Sequence, residues 1–267
     1  MKKDELVKRS IIKKFRPLIW HKFVKAINDY ELIKENDRIA VCISGGKDSF
    51  LLALCLDELK KHGKISFELK FIVMNPGYTD DVLNKIKNNL KLLKIDAIIF
   101  ESPIFEIVRK EKNPCYLCAK MRRGYLYNYA KSIGCNKIAL GHHFNDAIET
   151  ILLNMIYNGR YAGMRPKLKS DNFEGMELIR PLYLIKEDDI IAWKNYNELS
   201  FIDCACLVTK KKIGKRKEVK DLIKYLNQNY ELADRNIFNS LSNVNLDKVN
   251  SYEINGIKKS FLSDYDK

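Results

Sequence analysis

No apolar run in this 267-residue chain reaches the roughly 20 residues that a membrane-spanning helix needs. The N-terminus carries lysines where a secretory leader would carry its hydrophobic region, so the expected compartment is the cytoplasm, with no membrane partner. Internal repeats and low-complexity segments are missing too, which sets repeat architectures aside. Acidic residues are in deficit: 34 Asp and Glu face 48 Lys and Arg, for a formal net charge of +14. An excess of that size points to a polyanionic partner, against the plainer reading of a solvated lysine-rich surface. The seven cysteines are an odd number. In a cytoplasmic chain they argue for metal or redox chemistry rather than a disulfide framework.

What is present is unevenly spread. Lys2, Lys3, Lys8, Arg9, Lys13, Lys14 and Arg16 crowd the start, Arg122 and Arg123 stand mid-chain, and Lys210, Lys211, Lys212, Lys215, Arg216 and Lys217 form a late run. A nucleotide alone would not need this much positive charge, so a larger anion such as RNA accounts for it better. A chain that is 46% hydrophobic supports one α/β core with helical additions. We divide it into a basic N-terminal helical segment (1–34), a central catalytic domain (35–206) and a C-terminal helical segment (207–267).

Strands are expected at 38–43, 67–74, 95–101 and 137–140, and helices at 49–62, 80–93, 118–133 and from Asp146 to about residue 157. This alternation predicts a doubly wound parallel sheet whose ligands lie beyond the carboxyl ends of the strands, where Ser44, Asn75 and Gly141 fall. In the N-terminal segment Ile11, Phe15, Leu18, Ile19, Phe23 and Ile27 make one helical stripe, divided or kinked by Pro17. Residues 159–180 read as irregular. Further helices are expected at 186–199, 217–229 and 231–241, and nothing is assigned beyond Asp247.

The most informative stretch is Ser44-Gly45-Gly46-Lys47-Asp48-Ser49, between the apolar run 39–43 and the helix-periodic run 50–59. A strand that stops on small residues and turns into a helix leaves that helix's first N–H groups pointing outward, an anion cradle. The glycines let the backbone approach phosphate oxygens, Ser44 and Ser49 add hydroxyl donors, Lys47 adds charge, and Asp48 can hold magnesium. A Walker A loop is excluded, since Val41 stands where that pattern needs glycine. The six residues resemble the SGGKDS signature of the PP-loop ATP pyrophosphatases, which split ATP into an adenylate and pyrophosphate.

Among the cysteines, Cys42 and Cys55 lie in apolar contexts and read as core. Cys115-Tyr116-Leu117-Cys118 and, 86 residues after Cys118, Cys204-Ala205-Cys206 are the candidate ligands. On spacing, four thiolates fit a closed zinc site. Three could instead hold an iron–sulfur cluster with one iron open, and a redox pair is a third reading. Spacing alone favours zinc.

Several motifs then appear in a fixed order: residues 37–43 before the loop, Cys115 to Gly124, Gly141-His142-His143 with Asp146, Gly163-Met164-Arg165-Pro166-Lys167-Leu168, and Ile179-Arg180-Pro181-Leu182. Together they resemble the TtcA-type tRNA 2-thiocytidine synthetases. The resemblance implies a PP-loop, HUP-like fold and a [4Fe–4S] cluster on Cys115, Cys118 and Cys204, which reverses the preference for zinc. It implies ATP, Mg²⁺ and tRNA as ligands and partners, with a sulfur donor that is free sulfide or a desulfurase-derived persulfide. A homodimer is among the assemblies allowed. It also implies nucleotide binding by Ser44 to Ser49, Met74, Gly141 and His142, and catalytic roles for Lys47, Asp48 and Asp146. The chain departs from the family in its C-x-C spacing, which makes Cys206 an alternative to Cys204, and in Asn145-Asp146 standing where the family carries an acidic pair. Competing functions are a tRNA 2-thiouridine or lysidine-type synthetase and, in another class, a zinc-stabilised ATP- and RNA-binding protein.

Overall fold

The computed structural model describes residues 2–108, 114–202, 214–263 and 265, the side chains of residues 114–116 excepted. By contact density the chain divides into two compact units, Met1–Ala147 with Met164–Gly214, and Ile148–Gly163 with Lys215–Lys267. Among the described residues no helix is long and apolar enough to cross a membrane.

The first unit is built on a six-stranded sheet of order β3-β2-β1-β4-β6-β5, formed by β1 (Asp37–Cys42), β2 (Phe67–Asn75), β3 (Ala97–Glu101), β4 (Lys137–Ala139), β5 (Lys167–Lys169) and β6 (Glu177–Ile179). All neighbours pair parallel except β5 and β6. Strand β1 shows how the sequence makes two layers. Ile39 and Val41 enter the larger apolar cluster with α3 (Lys47–His62), whereas Ala40 and Cys42 enter a second cluster with Ile72, Ile138 and the Tyr127 and Ala130 side chains of α6 (Pro114–Ser132). Alternate residues of a strand point to opposite faces, so a continuous apolar run can serve a sheet covered on both sides. Buried Cys42 and Cys55 take the core positions expected of them.

The N-terminal stripe packs on the larger cluster through Val7, Ile11, Phe15, Ile19, Phe23 and Ile27. Leu18, expected in that stripe, is instead 40% exposed. Between α1 (Lys3–Ile12) and α2 (His21–Asp29) the residues around Pro17 form a π-helical turn, Arg16–Trp20. Its wider winding rotates Leu18 out of register.

Two further expectations are corrected. Residues 159–180 contain β5 and β6, and the C-terminal segment is not purely helical. Its helices α9 (Lys215–Asn229) and α10 (Ala233–Ser240) are followed by a hairpin of β7 (Ser251–Ile254) and β8 (Ile257–Ser260). The connection from β3 also holds α5 (Ile104–Val108).

At the end of the sheet opposite the strand C-termini, Lys137 is 2% exposed, with its ammonium 2.7 Å from Asp37 and 3.2 Å from Glu177. It also donates to the Leu32 carbonyl at 3.0 Å, while Asp37 accepts from the Lys34 amide and the Asn136 side chain. This clamp joins the starts of β1, β4 and β6. Removing one member of such a cluster strands a buried charge, so Lys137→Met should cost about 3–5 kcal/mol. Urea denaturation at pH 7 checks this, and adding Asp37→Asn should recover much of the loss.

Candidate functional site

Helix α3 begins directly on the signature loop. Ser49, 4% exposed, fixes the loop's shape: its hydroxyl accepts from the Ser44 amide at 3.1 Å and donates to the Gly46 carbonyl at 2.8 Å, while the Ser44 hydroxyl donates to it at 3.3 Å. The hydroxyls expected as phosphate donors are therefore spent on the loop itself, and the free donors for an anion are the N–H groups of the first turn of α3.

The glycines also act differently from expectation. Gly45 has φ of +91°, and a Cβ there would fall 2.3 Å from Ile202 Cδ1 and 2.9 Å from Ile86 Cγ1. Its missing side chain serves a left-handed turn and a packed interior. A Cβ on Gly46 would meet nothing closer than 3.7 Å. At Gly141, beyond β4, a Cβ would lie 3.0 Å from the Asp48 carbonyl carbon and 3.1 Å from the Ser49 nitrogen, so that strand end rests against the start of α3.

The Lys47 ammonium lies 3.0 Å from Glu187 on α8 (Glu187–Tyr196) and 3.2 Å from Asp48. Burial pulls its pKa down, but the carboxylates of Asp48 and Glu187 outweigh this and raise it above the ordinary lysine value. Burial pushes the Asp48 carboxyl above its usual range despite the pull of His143 and Lys47, and Asp146 adds to the rise. His143 is 4% exposed, with Nε2 3.5 Å from Asp146 and 3.9 Å from Asp48. Asp146 stands in the first turn of α7 (Phe144–Asn158) and accepts the His143 amide at 3.0 Å. It is a helix cap and a wall of the cleft at once.

That cleft, about 500 Å³, runs along the C-terminal edge of the sheet. Of the predicted residues it brings together Ser44, Asp48, Ser49, Met74, Gly141, His142 and Asp146, while Gly45, Gly46 and Lys47 lie outside its lining. Asn75, expected at the site, is turned away. Its side chain accepts from the Gly77 and Tyr78 amides at 3.1 and 2.8 Å and so shapes the turn that delivers Tyr78 to the wall. The opposite wall is Ala119, Arg122, Arg123 and Leu126 of α6, with Met164, Leu178 and Arg180. The cleft-facing roles of Tyr78 and Arg180, and the Glu187 partner of Lys47, were not foreseen.

Cys118 is buried on α6 beside Met74, Ile104 and Phe105, one residue from the cleft-lining Ala119. Cys115 lies in α6 with its side chain undescribed, and Cys204 and Cys206 lie outside the described residues. Ile202 is described: its amide donates to the Gly45 carbonyl at 3.2 Å. Among the described residues no three His, Cys, Asp or Glu side chains are grouped to hold a metal ion.

Residues 17–206 match the PP-loop domain family. A "tRNA-cytidine(32) 2-sulfurtransferase" of Pelobacter propionicus is 35% identical over 89% of this chain and 89% of its own. One of the same name from Shewanella denitrificans is 38% identical over 82% of this chain and 68% of its own. The chain belongs to the PP-loop family of tRNA-cytidine 2-sulfurtransferases. Among solved structures, the U34-tRNA thiolase NcsA from Methanococcus maripaludis, determined with its [4Fe–4S] cluster, shares the PP-loop fold. Its TM-score is 0.67 at 24% identity, covering 83% of this chain and 76% of that one.

The raised carboxyl of Asp48 yields a signed prediction. An acid whose folded pKa exceeds its ordinary 3.8 costs stability when ionised, and the cost vanishes once the pH falls below that ordinary value. Asp48→Asn should therefore stabilise the protein by about 1 kcal/mol at pH 7, with the gain fading in acid. Thermal melts between pH 3 and pH 7 measure it, and a variant less stable than wild type at pH 7 contradicts it.

Proposed function

We propose that this protein is an ATP-dependent, iron–sulfur-dependent tRNA sulfurtransferase that converts an anticodon-loop cytidine, at the position 32 named for its relatives, into 2-thiocytidine. The observation that carries the reading is local. The nucleotide loop and the helix bearing Cys118 line one cleft, and Ile202, two residues before Cys204, is hydrogen-bonded to that loop.

In this reading the ATP phosphates lie on the amides of the first turn of α3, with Lys47 released from Glu187 toward them and the adenosine toward Met74. Gly141 and His142 complete the nucleotide site. The buried Oδ1 of the Asp48 carboxylate faces basic groups, the Lys47 ammonium at 3.2 Å and the His143 ring at 3.9 Å. With Asp146 nearby, Asp48 would suit a Mg²⁺ ion, which would supply positive charge to a polyphosphate. The C2 oxygen of an extruded cytidine attacks the α-phosphorus and pyrophosphate leaves. Sulfide sulfur then bonds to C2 and the former carbonyl oxygen departs in AMP. Lys47 and the loop amides stabilise the charge that accumulates on the pyrophosphate. The thiol set Cys115, Cys118 and Cys204 suits a [4Fe–4S] cluster, which when bound supplies an iron site for the incoming sulfide. Free sulfide is the donor, or a desulfurase persulfide from which a second thiol first releases sulfide, the two thiols leaving as a disulfide. The basic N-terminal segment and the Lys210 to Lys217 run add phosphate contacts for tRNA, and the central residues 35–206 carry the chemistry.

Anaerobically purified protein given ATP, Mg²⁺, tRNA and sulfide should release AMP and pyrophosphate one for one. Lys47→Ala should lower kcat by about 100-fold or more. Cys115→Ala, Cys118→Ala and Cys204→Ala should each lose iron while Cys206→Ala keeps it. Iron, zinc and acid-labile sulfide analysis reads the result. Full iron in Cys204→Ala with loss in Cys206→Ala reassigns the third ligand, and a zinc-loaded, iron-free active protein removes the cluster from the reading.

A further inference from the structure

The end of the cleft farthest from Met74 holds positive charge that ATP leaves unused. Arg180, immediately past β6, is 9% exposed and lines the cleft. One terminal nitrogen donates to the Arg165 carbonyl, but its buried Nε has no hydrogen-bond partner among the described residues. Arg122 on the facing α6 is half-buried and stands on the Met74 side, its guanidinium 5.5 Å from the ring centre of Phe105, which packs with Met74; its Nε also has no hydrogen-bond partner among the described residues. Neither has a carboxylate within ion-pair distance among the described residues. Burial lowers Arg180 to about 10, and neighbouring Arg123 acts in the same direction, yet it stays a cation at neutral pH. Buried charge with unspent donors is unfavourable in a free protein. The unspent donors of buried Arg180, facing the cleft, are what an incoming anion would complete.

Sheet order indicates which anion. Strand β6 stands two places from β1, on the side away from β2. At about 4.8 Å per strand, Arg180 is displaced about 10 Å along the edge from the nucleotide loop, away from the adenosine side. Resting on the sulfurtransferase reading, we propose that Arg180 forms a second anion site, which grips a backbone phosphodiester beside the target nucleotide and so places its C2 oxygen over the α-phosphate. The flat guanidinium fork matches two phosphate oxygens. The base itself suits this arginine less well, because adenylation at the C2 oxygen puts positive charge into the cytosine ring.

The test measures binding of an anticodon stem-loop RNA to the full-length, anaerobically purified protein over a range of salt concentrations. Arg180→Met should weaken binding about 10-fold and flatten the log–log salt dependence by about 1, with ATP affinity within about twofold of wild type. Arg180→Lys should restore the salt slope and part of the affinity. A stem-loop abasic at the target position should suffer the same loss, since it keeps the phosphate. Arg180→Gln, which keeps polarity without the charge, is the second arm should Arg180→Met not fold, with the same loss of affinity and slope expected. An unchanged salt slope, a loss seen only with ATP, or a loss that disappears on the abasic RNA overturns the proposal. A wild-type protein that binds no stem-loop overturns the sulfurtransferase reading and this site with it, whereas wild-type binding with unaltered variants removes this site alone.

Discussion

Gly141 lies so near the first turn of α3 that a methyl group would press on the Asp48 and Ser49 backbone at about 3 Å. That close approach sets the geometry of the cleft. It carries the His143 ring and the Asp146 carboxylate, both borne on the segment after β4, up to Asp48 in the first turn of α3. A side chain at 141 would separate two strand ends that parallel pairing has already brought side by side. The Ser49 hydroxyl then holds the loop shape by local bonds, which leaves the amides of the first turn of α3 available to an anion.

The charges in the cleft are set against one another in the absence of ligand. Asp48 and Asp146 share one wall with a single imidazole between them, and three guanidiniums occupy the other. Lys47 is held by Glu187 rather than extended into the space. Burial pushes the Asp48 carboxyl up and Asp146 adds to the rise, while His143 and Lys47 pull it back, so the net upward shift records that tension. In the proposed reading a polyphosphate with its metal ion would relieve both walls together, the cation meeting the carboxylates and the anion meeting the amides and Lys47. Stability given up in the free protein thereby becomes binding selectivity for a ligand carrying both signs of charge.

Local signals made much of this visible in the sequence. The six-residue loop, the alternating apolar faces of β1 and the long helices α3, α4 (Asp80–Leu93) and α7 depend on near neighbours, and their residues declare them. What stayed hidden depends on distant partners. Glu187 finds Lys47 across 140 positions, and nothing in a first helical turn rich in acid distinguishes it from an ordinary dipole-complementing residue. Strands β5 and β6 span only three residues each, too few for a period of two to stand out from the surrounding chain. Asn75 stands at a strand end like Ser44, yet its side chain closes on its own following turn, a choice that strand topology cannot reveal. The cysteines show the same limit from another side, because spacing counts ligands without identifying the metal.

Met74 and Ile202 explain why nucleotide and sulfur chemistry can meet on this sheet. Met74 faces the cleft and also packs in the cluster that buries Cys118, so one side chain stands between the cleft and that thiol. On α6, Ala119, Arg122 and Leu126 follow i, i+3, i+7 spacing, so a single helical face lines the cleft while Cys118 takes the adjacent buried position. Ile202 fills the space beside Gly45 and donates to its carbonyl, which ties the approach to the late cysteines to the glycine whose left-handed backbone forms the loop. Any residue larger than glycine at 45 would displace both the loop and that approach. The nucleotide cradle and the path to the late cysteines are therefore one packing unit, and neither can be altered without the other.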